Sequence, residues 1–247
     1  MTQGTLATKR VLIVLPALNE EDNVGGVVEN VRRSLPEAAV LVVDDGSSDA
    51  TSQRAREAGA TVARLAMNLG VGGAMRTGFR YAVANGYDVV VQVDADGQHD
   101  PEHVRELIAA LDDADLVIGA RFAGRGDYRA RGPRRWAMWV LAFVLSRIAK
   151  VKLTDVTSGF KAAGPRAVKL FARNYPAEYL GDTIESLVLA IRAGLVVRQV
   201  PVEMRERGGG KPSQSPVKAA VYLVRAGLAL LLALVRRGPS VESADSV

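Results

Sequence analysis

The chain has 247 residues, 48% of them hydrophobic, enough for one large or two small globular domains with a sizeable core. It contains no cysteine, which excludes disulfides and thiolate metal sites and accords with a reducing compartment. The formal net charge of +5 points to anionic partners such as nucleotides, phosphates or a membrane face, while 5% aromatics and no basic–aromatic motif argue against nucleic acid.

The opening "MTQGTLATKR" has no apolar stretch of the signal-peptide kind, so secretion is not expected. "VLIVL" (Val11–Leu15) reads as a buried strand ended by Pro16, and "NVGGVVENVRRSL" as a helix with Asp22 at its N-cap. "AVLVV" (Ala39–Val43) is a second strand; "SDATSQRAREAG" is a helix capped by Ser or Asp and stopped at Gly59. "TVARL" is a third strand, "GGAMRTGFRYAVANG" a helix stopped near Gly86, and "VVVQV" (Val89–Val93) a fourth strand. In "DPEHVRELIAALD" Asp100 caps a helix with Pro101 at its first position, and "DLVIG" (Asp115–Gly119) is a fifth strand.

Repeated strand–helix units whose strands are apolar throughout predict a mostly parallel sheet covered by helices on both faces. Ligands of such sheets sit at the carboxyl ends of the strands. The polar clusters fall there: "PALNEE", "DDGSSD", "NLG", "DADGQHD" and "ARF" follow the five strands in turn.

Beyond Arg121 the texture changes. "AGRGDYRARGPRR" and "RERGGGKPSQSP" read as mobile basic loops, and "WAMWVLAFVLSRIA" (Trp136–Ala149) as an apolar helix. "VTSGFKAAG" reads as a short strand, "TIESLVLAIRAG" as a helix and "LVVRQVPVEM" as a strand. "AAVYLVRAGLALLLALV" (Ala219–Val235) is shorter than a span and carries Arg225, so it reads as an interfacial or packed helix.

The acidic cluster carries the chemistry. In an extended segment side chains two apart point the same way, so Asp94 and Asp96 would face one point across small Ala95. Two carboxylates at one point share a proton or a cation, and oxygen-only ligands favour Mg²⁺ or Mn²⁺ held jointly with substrate phosphates. Gln98 is placed to add an amide oxygen; for His99 a place at the site and a solvated place in the loop are equally open. Asp44 and Asp45 are placed to accept from a base N–H or ribose hydroxyls. The glycines of "NLGVGGAMRTG" do not have dinucleotide-fingerprint spacing, which excludes NAD; from Gly70 onward they let backbone approach a diphosphate or pack tightly, with Asn68 beside them.

In order, "LPALNEE", "VVDDGSSDAT", "NLGVGGAMRTGF", "VQVDADGQHDPE", "VIGAR" and "DVTSGFKA", with the later "VPVEMRERGGGKPS", resemble the family 2 glycosyltransferases, in particular the dolichol- and polyprenyl-phosphate mannosyltransferases and glucosyltransferases. The resemblance implies a GT-A-type, Rossmann-like α/β fold with C-terminal amphipathic helices. Residues 1–216 would form one catalytic domain, and 217–247 an apolar helix and a disordered tail. It implies inverting, Mg²⁺- or Mn²⁺-dependent transfer of mannose or glucose from a GDP- or UDP-sugar to a polyprenyl phosphate. Pro16, Ala17, Asn19, Glu20 and Asp45 would line the nucleoside pocket, with Asp44, Asn68, Gly70, Asp94 and Ala95 also on the donor; Asp94, Asp96 and Gln98 would hold the metal. Asp96, Arg121, Arg134 and Arg135 would be catalytic, the arginines meeting donor or acceptor phosphates.

A lipid phosphate is already an anion near neutral pH and needs cationic guides more than a base. Lys161, Arg205, Arg207 and Lys211, with Ser158, complete that acceptor set. A cytoplasmic enzyme held peripherally at the inner membrane face follows. The alternatives are a hydroxyl acceptor with Asp182 or Glu185 as base, and a non-catalytic nucleotide-sugar binder, against which the intact D-x-D argues. No Q-x-x-R-W motif is present, which argues against a processive polysaccharide synthase.

Overall fold

Every residue of β1 (Val11–Ala17) is buried, and successive side chains leave the strand on opposite faces. Val11, Ile13, Leu15 and Ala17 join one apolar core, and Leu12 and Val14 the other. That two-sided burial is why the run is apolar without alternation. The structure, a computed structural model, describes residues 9–120, 142–149, 151–176 and 182–203.

The described elements follow in order: β1, α1 (Val24–Ser34), β2 (Ala39–Asp44), α2 (Thr51–Glu57), β3 (Thr61–Arg64), α3 (Gly70–Ala84), β4 (Val89–Gln92), α4 (His103–Ala109) and β5 (Leu116–Ala120). Helix α5 spans 142–149. Then come β6 (Lys161–Ala163), α6 (Pro165–Asn174), α7 (Asp182–Arg192) and β7 (Val197–Pro201). Helices α1, α2 and α4 cover one face of the sheet; α3, α5, α6 and α7 cover the other. Phe79 of α3 meets Phe171 of α6 and Tyr175 beyond it at centroid distances of 5.1 and 5.2 Å, which ties these helices together.

The sheet has seven strands in the order β3-β2-β1-β4-β6-β5-β7. All pairs are parallel except those of β6, which runs antiparallel to both β4 and β5. The chain builds β2 and β3 on one side of β1 and then crosses to β4 on the other. The strand order therefore reverses between β1 and β4, and a crevice opens there at their carboxyl ends.

Several local expectations shift. Helix α2 has Ala50 at its N-cap rather than a Ser or Asp, with Asp49 accepting the N–H of Thr51 at 3.0 Å just before it. Helix α1 starts after Asn23 rather than Asp22, without a side-chain cap; the carbonyl of Glu20 accepts the N–H groups of Asn23 and Val24 at 3.0 and 2.9 Å. Helix α4 starts at His103 rather than Pro101, because Asp100 folds a turn first, its carboxylate accepting Glu102 N–H at 3.0 Å. The strand in "VTSGFKAAG" contracts to Lys161–Ala163. No helix among the described residues is long and apolar enough to cross a membrane. Residues 217–247 lie outside the described residues.

Candidate active site

The loops after β1 and β2 are latched together. Asn19 takes a left-handed conformation, φ 54°, which asparagine tolerates. Its N–H donates to Ser47 Oγ at 2.9 Å, and its side-chain oxygen accepts the N–H of Ser48 at 2.9 Å. Glu20 N–H donates to Thr51 Oγ1 at 2.9 Å, and Ala17 O accepts from Asp45 N at 2.8 Å. Pro16, Ala17, Asn19 and Glu20 thus form one wall with the "DDGSSDAT" loop. Pro16 follows the last β1–β4 pair, Val14 with Gln92, so its missing N–H leaves that ladder intact.

The adjacent aspartates divide the work. Asp44, expected to meet a base or ribose, is 1% exposed and turned into its own loop. It accepts the N–H of Ser47 at 2.8 Å and the hydroxyl of Ser52, with Arg64 Nε 3.8 Å away. Burial pushes its carboxyl up, but these bonds and the Arg64 charge outweigh it and hold it below the ordinary 3.8. Asp45 reaches across to the start of α3, accepting the N–H groups of Leu69 and Gly70 at 2.7 and 2.8 Å. Burial pushes its carboxyl up, the Asp44 charge adds to that, and the two N–H groups oppose it. Asn68 joins there, its side-chain oxygen accepting Gly70 N–H at 3.0 Å. The loops after β1, β2 and β3 therefore form one continuous rim.

The D-A-D segment lies just past β4, on the other bank of the crevice. It is a turn rather than an extended stretch, with Gly97 at φ 78°. Asp96 accepts the N–H of Gln98 at 3.0 Å, and buried Ala95 anchors the turn in the core below. The Asp94 side chain is 39% exposed. Gln92 Nε2 donates to its Oδ1 at 3.2 Å. Gly159 comes so near that a methyl group there would lie 3.1 and 3.2 Å from the Asp94 oxygens. Two accessible carboxylates suit a hard cation that takes its remaining ligands from a diphosphate. Among the described residues no group of three or more His, Asp or Glu side chains is placed to hold a metal ion.

Two residues of the expected acceptor set are buried instead. Ser158 is 1% exposed and accepts the N–H of Phe160 at 3.3 Å. Lys161 is 6% exposed, and its Nζ donates to Thr183 O and Ser186 Oγ at 3.0 and 3.1 Å, bracing the start of α7. Asp155 is fully buried and accepts from Thr157, whereas Glu185 is partly exposed. Arg121, Arg134, Arg135, Arg205, Arg207 and Lys211, the side chain of Asp182, and both basic loops lie outside the described residues. His99 is not a solvated loop residue: it is 4% exposed and packed against Asp94. Its signal in the sequence was its position in the same short turn as the two aspartates.

Residues 12–171 match the family model described as Glycosyl transferase family 2. The chain belongs to that family. Among the relatives of this glycosyltransferase is the undecaprenyl-phosphate mannosyltransferase of Micrococcus luteus, 34% identical over 233 residues, covering 89% of this chain and 95% of the relative. The polyprenol monophosphomannose synthase of Mycolicibacterium smegmatis is 33% identical over 228 residues, covering 88% and 86%. In fold, this glycosyltransferase matches glucosyl-3-phosphoglycerate synthase of Mycobacterium tuberculosis, crystallised with Mn²⁺, UDP and glucosyl-3-phosphoglycerate, at a TM-score of 0.73 and 23% identity, covering 94% and 82%. The seven-stranded sheet is accordingly of the GT-A type.

Proposed function

We propose that the protein transfers a hexose, mannose or glucose, from a GDP- or UDP-sugar to a polyprenyl phosphate, with inversion at the anomeric carbon. The observation that carries the reading is the D-A-D turn at the point where β1 and β4 part, with the Asp94 carboxylate accessible and braced from behind. Similarity to two prenyl-phosphate mannosyltransferases over most of both chains supports the acceptor class. An oxygen of the lipid phosphate attacks the anomeric carbon as the bond to the nucleoside diphosphate breaks, and the diphosphate leaves with the electron pair. Asp94 and Asp96, with Gln98, would hold Mg²⁺ or Mn²⁺, which neutralises charge on the departing diphosphate. Pro16, Ala17, Asn19, Glu20 and Asp45 form the rim against which the nucleoside would lie, and Arg121, Arg134 and Arg135 would hold phosphates in line. A lipid acceptor would bring the enzyme to a membrane surface.

The test is turnover of the purified chain with Mn²⁺ or Mg²⁺, a panel of GDP- and UDP-hexoses, and either a polyprenyl phosphate or the matched polyprenol. Glycosylated lipid phosphate is the expected product, and chelator should abolish it. Preference for the free alcohol would replace this reading with a hydroxyl-acceptor enzyme that needs a carboxylate base such as Glu185.

A further inference from the structure

His99 stacks flat on buried Phe160, ring centroids 4.7 Å apart at 16°. The backbone N–H of Asp94 donates to its Nδ1 at 3.0 Å, and its Nε2 stands 3.6 Å from Asp94 Oδ2. A ring nitrogen that accepts an N–H carries no proton, so the imidazole proton sits on Nε2, facing the carboxylate. One ring therefore grips one residue twice: the main chain through a lone pair, and the side chain through an N–H at electrostatic rather than full hydrogen-bond distance. A histidine satisfied merely as a core residue has no reason to turn both nitrogens to the same neighbour. The segment that supplies Phe160 as the stacking platform also supplies Gly159, which lies so near that a methyl group there would meet the Asp94 oxygens.

We propose that His99 is a positioning residue of the donor site, fixing the main chain and carboxylate of Asp94 so that the cation site is formed before the diphosphate arrives. This rests on the reading of the D-A-D turn as that cation site. Groups behind a metal ligand act this way, and their loss weakens metal affinity without touching the metal. "SGF" in "DVTSGFKA" is thereby assigned to the donor side, as the support for His99 and Asp94.

The chain has two histidines, and the second is an internal control. His103 Nε2 accepts the N–H of Glu203 at 3.3 Å while its Nδ1 lies 3.6 Å from Glu106, the opposite tautomer. Imidazole proton–nitrogen correlation spectra of the intact protein should show one ring of each kind, and His103→Gln should leave the Nε2–H ring. A ring protonated at Nδ1 in that variant overturns the proposal. Calorimetry with GDP and UDP, each with and without Mn²⁺, reads the role itself. His99→Phe keeps the stack and loses both nitrogens; Mn²⁺-dependent affinity should fall about 10- to 100-fold with metal-free affinity unchanged. His99→Asn keeps an acceptor where Nδ1 was and should recover most of the loss. Wild-type affinity in His99→Phe, equal losses in the Phe and Asn variants, or parallel loss with and without metal would overturn it. Absence of Mn²⁺-dependent nucleotide binding by the unaltered chain would instead sink the reading of the site on which it depends.

Discussion

Replacing Gly159 with alanine probes the wall behind the first aspartate. The new methyl would lie 3.0 Å from Gln92 Nε2 and 3.1 and 3.2 Å from the Asp94 carboxylate oxygens. Contacts that close force the neighbours back by a few tenths of an ångström. Gly159 sits between Ser158 and Phe160, both 1% exposed, so the chain behind it has little room to yield and the ends of the Gln92 and Asp94 side chains must give way. Overpacking of this kind costs about 1–3 kcal/mol. At about 2–4 °C per kcal/mol for a chain of this size, the melting temperature should fall by about 2–12 °C. Misplacing a catalytic group by about 1 Å costs about 100-fold, so a shift of a few tenths should slow turnover on the order of tenfold. Gly26, in the first turn of α1, is the control: a methyl there meets nothing within 4 Å. Alanine is favoured over glycine in a helix by up to about 0.5–1 kcal/mol, so Gly26→Ala should melt slightly higher and turn over normally. The measurements are thermal melts and initial rates with nucleotide sugar, Mn²⁺ and polyprenyl phosphate. An unchanged rate and melting temperature in Gly159→Ala, or equal losses at the two glycines, would refute the reasoning.

Asp96→Asn should abolish both turnover and Mn²⁺-dependent nucleotide binding while leaving the melting temperature within a few degrees; full activity of that variant in chelator would contradict the metal assignment. The Asp44 carboxyl is held below 3.8, so its stabilisation is present above that pH and lost as pH falls through its folded value. Denaturant melts of wild type and Asp44→Asn should therefore diverge at neutral pH and converge in acid; parallel curves would exclude this. Asp45 is shifted the other way, so its contribution is present below 3.8 and declines as pH rises through its folded value, a decline that Asp45→Asn should remove. Gln199 bridges β7 to the 151–160 segment, accepting Thr154 N–H at 2.7 Å and donating to Asp155 O at 2.6 Å. Gln199→Ala should cost about 1–3 kcal/mol in melts by removing these two part-buried hydrogen bonds. Lys161→Met should lower stability while leaving acceptor KM unchanged, since its ammonium is turned toward α7; a large rise in acceptor KM would restore it to the acceptor site.

Much of this architecture is legible in the chain because burial on two faces writes itself into unbroken apolar runs such as "VLIVL" and "VVVQ". The position of the polar clusters after those runs follows from the same logic, and the D-A-D turn lies where it predicts. The neighbours of β4 were not legible. "VTSGFKAAG" reads as a short strand, but only Lys161, Ala162 and Ala163 form β6, and nothing in those three residues says that it lies between β4 and β5. Asp94 and Asp96 would share one side only on extended backbone, whereas Gly97 lets the chain turn there. Asp44 and Asp45 read alike in sequence; only the donors that each meets, Ser47 and Ser52 against Leu69 and Gly70, separate them. His99 owes its burial to Phe160, a residue distant in the chain, so no local pattern reports it.

The place of β6 also dictates an order of assembly on the ribosome. β3, β2, β1 and β4 are complete by Gln92 and can pair with one another early, with β4 still lacking its second neighbour. β5 does not join them: both its neighbours, β6 and β7, are translated later. Until Lys161–Ala163 emerges, the nascent protein carries Val90 and Val91 on an open sheet edge and Leu116–Ala120 as an apolar strand with no sheet to enter. Open edges and unpaired apolar strands are the templates on which chains aggregate. Production of this enzyme should therefore be most sensitive to chaperone supply and translation pace between the synthesis of β5 and that of β6.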